Sequence, residues 1–240
     1  MAQVYDRLME DAPYDRWVEF TDRMLKKFHP KAAAIIDLGC GTGEITHRLH
    51  KRGYHMTGID LSSDMLTIAQ QKDPKAPIAW HRQDMTSLSG FHDVDCIISY
   101  CDVINYVTEE DAVKDSFRHI HEALGKDGLF LFDVHSIEHI QQDLLGATFA
   151  EVYDDLSYVW FCDPGEKENS FVHDLTFFVQ TNGLYNRFDE VHYQQGYQTE
   201  DLATWLKDAG FLLKGIYADF REQPSQEGDR LLFVCQKESK

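Results

Sequence analysis

The sequence predicts an α/β protein: a mostly parallel sheet with helices on both faces, closed by an antiparallel hairpin and carrying an inserted antiparallel β meander. Three observations predict it. Short apolar runs alternate with amphipathic segments as far as residue 148, the pattern of a parallel sheet covered on both sides. Residues 149–197 then lose the helical period, and Phe171, His173, Leu175, Phe177 and Val179 fall on one face at period two. The last two apolar runs, 212–220 and 230–236, have only 221–229 between them. A parallel crossover needs about a dozen residues or more, so these runs pair antiparallel.

The elements follow in order. Trp17, Phe20, Leu25 and Phe28 recur at helical spacing and mark a helix over 14–28. A buried strand over 33–38 runs into a glycine turn, and a helix follows over 44–51. The next strand, 54–60, leads to "LSSDMLTIAQQ", where Ser62 or Ser63 caps a helix and Asp64 favours its start. Residues 78–82 and 96–100 read as strands. "TEEDAVKDSFRHIHEAL" is a helix with Thr108 as its cap and Val113, Phe117, Ile120 and Leu124 along one face. "LFLFDV", 129–134, is a buried strand, apolar except for Asp133. About three antiparallel strands fill the meander, with Asn182-Gly183 suited to a type I′ hairpin turn and Asp163-Pro164-Gly165 to another turn. A last helix carries Leu202, Trp205, Leu206 and Ala209, capped by Thr199 and stopped by Gly210. Domain organisation is therefore expected as 1–148 with 198–240 in one unit and 149–197 inserted into it.

Composition narrows the function classes. The 41 acidic residues outnumber the 23 basic ones for a net charge of −18, which opposes duplex nucleic acid and anionic membrane at long range. No apolar run approaches the ~18 residues of a membrane span, and the charged amino end reads as no secretory signal. Five cysteines at 40, 96, 101, 162 and 235 form no C-x-x-C pair, so neither a metal site nor a disulfide framework is expected, and the setting is expected to be cytoplasmic.

"IIDLGCGTGEIT" places Gly39, Gly41 and Gly43 between two apolar stretches. Glycine costs about 0.5–1 kcal/mol relative to alanine inside an element, so the cluster needs a reason. A tight turn is one; a ligand lying against the backbone is the other. The turn follows a strand and opens a helix, and Asp60 ends the next strand, where a carboxylate is placed to accept both hydroxyls of a ribose. Asp37 just before the glycines is awkward beside a pyrophosphate and favourable beside a cationic amino group or sulfonium.

"DLGCGTGEIT", "MTGIDLSSDML", "WHRQDMTSL", "DCIISYCDVINYV" and "LGKDGLFLFDVHS" together resemble the successive motifs of class I S-adenosylmethionine-dependent methyltransferases. The likeness spans residues 5 to about 236, resembles small bacterial methyltransferases, and at the amino end is similar to glycine N-methyltransferase. It implies a Rossmann-like methyltransferase fold with a seven-stranded sheet, and S-adenosylmethionine as cofactor. By that resemblance Gly39, Cys40 and Gly41 pass beneath the methionine part, Asp60 holds the ribose, and Leu61 and Met65 lie against the adenine. Asp84 accepts from the adenine amino group, the Met85 backbone reads the ring, and Cys101 lies near the methionyl amino group. Tyr5, Tyr14 and Trp17 resemble the aromatic residues that close over the methionine end. Duller roles compete: Trp17 and Met65 as core, Asp84 as the cap of a turn.

Methyl transfer from a sulfonium is an in-line displacement that depends chiefly on positioning, with a general base useful for some acceptors. His135, at the carboxyl end of a buried strand, is the candidate base, and Asn105 and Tyr106, after another strand end, are candidates for orienting acceptor or cofactor. His173, His192 and Trp160 in the meander either touch substrate or pack on the sheet, with packing favoured for His173. The expected function is methyl transfer to a small-molecule acceptor. Alternatives are a tRNA or protein acceptor, a non-catalytic cofactor-binding protein, and more remotely a nicotinamide-dependent oxidoreductase, which the G-x-G-x-G spacing and terminal hairpin oppose.

Overall fold

The structure, a computed structural model, describes residues 2–238. Its first part runs α1 (Ala2–Leu8), α2 (Tyr14–Phe28), β1 (Ala34–Leu38), α3 (Glu44–Lys51), β2 (His55–Asp60), α4 (Ser63–Lys72) and β3 (Ala79–Arg82). It continues with β4 (Val94–Ser99), α5 (Glu110–Ala123), β5 (Leu124–His135) and the short α6 (Ile137–His139), which runs on into a π turn over Ile140–Leu144. Four strands follow, β6 (Thr148–Val152), β7 (Leu156–Pro164), β8 (Ser170–Thr181) and β9 (Leu184–Gln195). The chain ends with α7 (Thr199–Asp208), β10 (Phe211–Ala218) and β11 (Arg230–Lys237).

Seven strands form one sheet in the order β10-β11-β5-β4-β1-β2-β3. The pairs among β1 to β5 are parallel, whereas β11 pairs antiparallel with both β10 and β5. This is the Rossmann-like methyltransferase fold with its antiparallel end. Strand β5 shows why the core forms here. Phe130, Phe132 and Val134 pack on one face with Phe117, Ile120 and Leu206, while Leu129 and Leu131 pack on the other with Phe20 and Leu25. Each such side chain contributes about 1.5–3 kcal/mol by leaving water, so a strand apolar on both faces fixes itself in mid-sheet.

The inserted region is a separate antiparallel sheet of four strands in the order β6-β7-β8-β9, one more than its sequence pattern predicts. The extra strand is β6, short and mostly exposed, so no apolar alternation announces it. Asn182 and Gly183 both have positive φ, 54° and 79°, as a type I′ turn requires. Phe171, His173, Leu175 and Phe177 are buried on the inner face, against which Val4 of α1 packs.

Caps differ in detail. Ser62 caps α4 as expected, accepting from the Met65 N–H at 3.3 Å. Glu109, not Thr108, stands at the cap of α5, and Gln198 stands before α7, whose first residue is Thr199. Among the described residues no helix is long and apolar enough to cross a membrane.

Candidate active site

The glycine turn lies between β1 and α3. Gly39, Gly41 and Gly43 have φ of 80°, 53° and 77°, the left-handed region that other residues enter at a cost. At Gly39 there is also no room, because a Cβ would stand 2.5 Å from Val103 Cγ1. At Gly41 a Cβ would meet nothing within 4 Å, since its exposed backbone face borders a cavity. Asp60 at the end of β2 ties the turn to the next loop: Oδ2 accepts from Gly41 N–H and Oδ1 from Ser62 N–H, both at 2.8 Å.

The cavity holds about 950 Å³ and stands at the carboxyl ends of the parallel strands. One end is lined by Gly39, Gly41, Asp60, Leu61 and Met65, with Asp84 and Met85 beside them. Asp84 does cap a turn, Oδ1 accepting from the backbone N–H and hydroxyl of Thr86 at 2.9 and 2.8 Å, and the same residue lines the cavity. Tyr5 of α1, Cys101 and His135 continue the wall. Tyr158, Trp160, His173, Leu175, His192 and Gln194 of the inserted sheet form the opposite side.

Five of the residues singled out from sequence stand off this wall. Tyr14 is buried beside Trp17, their rings 6.1 Å apart. Trp17 is itself core, and its indole N–H donates to Asp133 Oδ2 at 2.5 Å. Asp37 is buried behind the turn, accepts from Thr46 Oγ1 at 2.5 Å, and has its pKa pushed up to about 7 by burial. Cys40 does not line the cavity, its Sγ lies 3.8 Å from the Gly41 carbonyl oxygen, and burial pushes its pKa up. Asn105 is wholly buried and spent on structure: Nδ2 donates to the Gln195 carbonyl at 2.8 Å, and Oδ1 accepts from the His135 N–H at 3.2 Å. It fastens the end of β9 to the end of β5 and does not line the cavity.

A charged network that sequence reasoning missed replaces it. Asp133, fully buried on β5, accepts at Oδ1 from the Asp102 N–H at 2.7 Å and from Arg230 Nη1 at 2.9 Å. Arg230 Nη2 reaches Asp102 Oδ1 at 3.0 Å, and His135 Nε2 lies 3.5 Å from that same oxygen. Burial alone would raise the Asp102 pKa, but His135, Arg230 and the Gln194 amide hold it well below the usual carboxylate range. Cys101 and Asp102 both have positive φ, 62° and 54°, so two successive left-handed residues aim Asp102 into the cluster.

From Asp102 a hydrogen-bonded chain enters the inserted sheet. The indole N–H of Trp160 donates to His173 Nδ1 at 2.8 Å, and an indole can only donate. His173 Nε2 therefore carries the proton and donates to Gln194 Oε1 at 3.1 Å, and Gln194 Nε2 donates to Asp102 Oδ2 at 2.9 Å. Burial lowers the His173 pKa, in keeping with a neutral ring. One signal pointed toward this cluster. A lone aspartate in "LFLFDV" must find a partner when buried, and the hairpin register sets Arg230 opposite His135, two positions along from Asp133.

A glycine turn with a strand-end acid, on a seven-stranded sheet with an antiparallel end, defines a nucleotide-cofactor enzyme of the methyltransferase class. Residues 35–128 match a family model described as a methyltransferase domain. A Geobacillus sp. (strain WCH70) protein named "Putative methyltransferase" is 44% identical across 98% of both chains. The crystal structure of an S-adenosylmethionine-dependent methyltransferase from Clostridium acetobutylicum ATCC 824 superimposes with a TM-score of 0.89, at 25% identity over 99% of this chain and 98% of that one. The S-adenosylmethionine-bound structure of CalS10, an amino pentose methyltransferase from Micromonospora echinaspora, shares the fold with a TM-score of 0.80, at 17% identity over 98% and 97% of the two chains. The chain belongs to the class I S-adenosylmethionine-dependent methyltransferases. Its cofactor is S-adenosylmethionine, and the nicotinamide alternative falls. The residues fit that group: the open face of Gly41 and the Asp60 and Asp84 carboxylates share one wall.

Proposed function

We propose that this enzyme methylates a small-molecule acceptor, and that the two ends of the cavity divide the work. The unit of 1–148 with 198–240 holds the cofactor, and 149–197 forms the acceptor-side wall. One observation carries the reading: the glycine turn with Asp60 and the His135 side chain line a single cavity whose far side is the inserted sheet. The backbone of Gly39 and Gly41 would carry the methionine part, Asp60 the ribose, and Leu61, Met65, Asp84 and Met85 the adenine, with Tyr5 and Cys101 at the methionyl end. S-adenosylmethionine supplies a methyl group on a sulfonium, transferred in line to the acceptor. His135 is the base that takes the acceptor's proton, and Asp102, 3.5 Å from Nε2, orients the ring and steadies the imidazolium. With Nε2–H directed at Asp102, Nδ1 is the basic nitrogen.

Two substitutions test the division. Asp60→Ala should lose about 1–3 kcal/mol of S-adenosylhomocysteine affinity by calorimetry, since ribose donors lose a charged, half-buried acceptor. Unaltered affinity would remove Asp60 from the site. His135→Asn should leave that affinity intact, depress S-adenosylhomocysteine release far more, and abolish the fall in rate at low pH. An unchanged pH profile would make His135 structural.

A further inference from the structure

Trp160 on β7, His173 on β8 and Gln194 on β9 stand on one diagonal of the inserted sheet. Trp160 is paired with Leu175, two places from His173, and His173 is paired with His192, two places from Gln194. Each link between them has one permitted direction. An indole N–H only donates, so His173 Nδ1 accepts from Trp160 at 2.8 Å and the ring proton sits on Nε2. That N–H needs an acceptor, so the Gln194 amide turns its oxygen to His173 at 3.1 Å and its nitrogen to Asp102 Oδ2 at 2.9 Å. Burial lowers the His173 pKa, and a neutral ring is what the row requires, because a second ring N–H would face the indole N–H.

The row ends on the carboxylate beside the base. Asp102 Oδ1 accepts from Arg230 Nη2 at 3.0 Å and faces His135 Nε2 at 3.5 Å, while Oδ2 is left to Gln194. Donors on a carboxylate share its charge, so removing one strengthens its hold on the others. A Gln194 amide turned the other way would set oxygen against oxygen and leave Asp102 pulling harder on the His135 proton. His135 is also faced by Arg230 with Asp133 behind it, by His173, and by the His139 ring, centroids 5.3 Å apart, which Asp143 and Asp229 flank. Tyr5, Cys101 and Tyr106 stand near Asp102. Of these groups only His173 belongs to the inserted sheet, and its hydrogen bond reaches Asp102 through Gln194.

We propose that Gln194 is a positioning residue for the base, its amide held in one orientation by Trp160 and His173 so that Asp102 orients His135 without locking a proton onto it. The proposal rests on the reading of His135 as the base of methyl transfer. A base that takes the acceptor's proton must also return it to water, and its proton affinity sets which acceptors it can deprotonate. The inserted sheet thereby acts on the chemistry through one amide.

Histidine-ring NMR on the protein saturated with S-adenosylhomocysteine tests this without an acceptor, the two rings being assigned by the signals lost in His135→Asn and His173→Gln. In the native protein the ring nitrogen shifts should show His173 as the Nε2–H tautomer. Gln194→Met keeps the side chain's length and lacks the donor, and it should move the midpoint of the His135 titration up by roughly 0.5–1 pH unit. Trp160→Phe keeps a ring and leaves Gln194 in place. Without the indole N–H, His173 should populate both tautomers, and the His135 midpoint should rise by a smaller amount. Both variants should bind S-adenosylhomocysteine within about twofold of the native protein. An Nδ1–H tautomer of His173 in the native protein would overturn the proposal, and so would a His135 midpoint that stays or falls in either variant. Absence of S-adenosylhomocysteine binding by the native protein, or an unchanged rate–pH profile in His135→Asn, would instead overturn the reading of the site on which it rests.

Discussion

The two sheets solve opposite problems. Strand β5 is buried on both faces from Gly128 to Val134, so every residue there is fixed by packing, and its one charge is clamped from three sides. Strand β8 is buried on alternate residues and β9 is exposed along most of its length. The first sheet is a platform on which turns and strand ends can be placed to fractions of an ångström. The second has a solvent face to spare, so its inner face can mix rings with polar groups and stand against a ligand. What the difference teaches is where tolerance lies: changes in the platform should be felt as stability, changes in the inserted sheet as selectivity.

The largest effect should come from the clamp. Asp133→Ala leaves the Trp17 and Asp102 N–H groups unpaired and Arg230 only half compensated. It should cost about 3–5 kcal/mol in denaturant unfolding. A loss below about 1 kcal/mol would mean the platform is not rigid at this point. A smaller and pH-dependent effect belongs to Asp37. Its folded pKa is raised to about 7, so between about pH 4 and 7 the folded state keeps a proton that the unfolded chain has released. Stability from this residue is therefore full at low pH and declines as pH rises toward 7. Asp37→Asn should remove a decline of a few kcal/mol across that window, and parallel pH curves for the two proteins would refute the shift. The smallest effect is in the inserted sheet. Asn182→Ala, at φ 54° in the hairpin turn, should cost about 1 kcal/mol and leave S-adenosylhomocysteine binding unaltered. Weaker cofactor binding in that variant would contradict the separation of roles.

The platform was legible in the sequence because its signals are local. Apolar runs such as 129–134 and the short 221–229 link give strands and their sense directly. Helix α1 was not, since seven residues form no stable helix alone and this one depends on Val4 packing against the inserted sheet. Site residues divide the same way. Gly39, Gly41 and Asp60 are set by a turn and the strand beside it, and they line the cavity. Asn105 and Trp17 stand off the cavity wall, and their partners, Gln195 and Asp133, are 90 and 116 residues away, too far for local sequence to show. Asp102 and Gln194, 92 positions apart, were missed for the same reason.

The donor chain running from Trp160 through His173 and Gln194 to Asp102 also acts as a register key for the inserted sheet. Period-two strands are free to slide by one residue wherever both faces tolerate it, and β9 exposes Val191 and Tyr193 on its outer side. Slippage that put Tyr193 in its place would turn Gln194 outward and strip the amide donor from the Asp102 carboxylate. His173 Nε2 would lose its acceptor at the same moment. Two broken polar contacts, each worth about 1–3 kcal/mol when left unpaired, separate the correct alignment from its nearest competitor. The strand pairing of the inserted sheet is thus chosen by a residue of the platform.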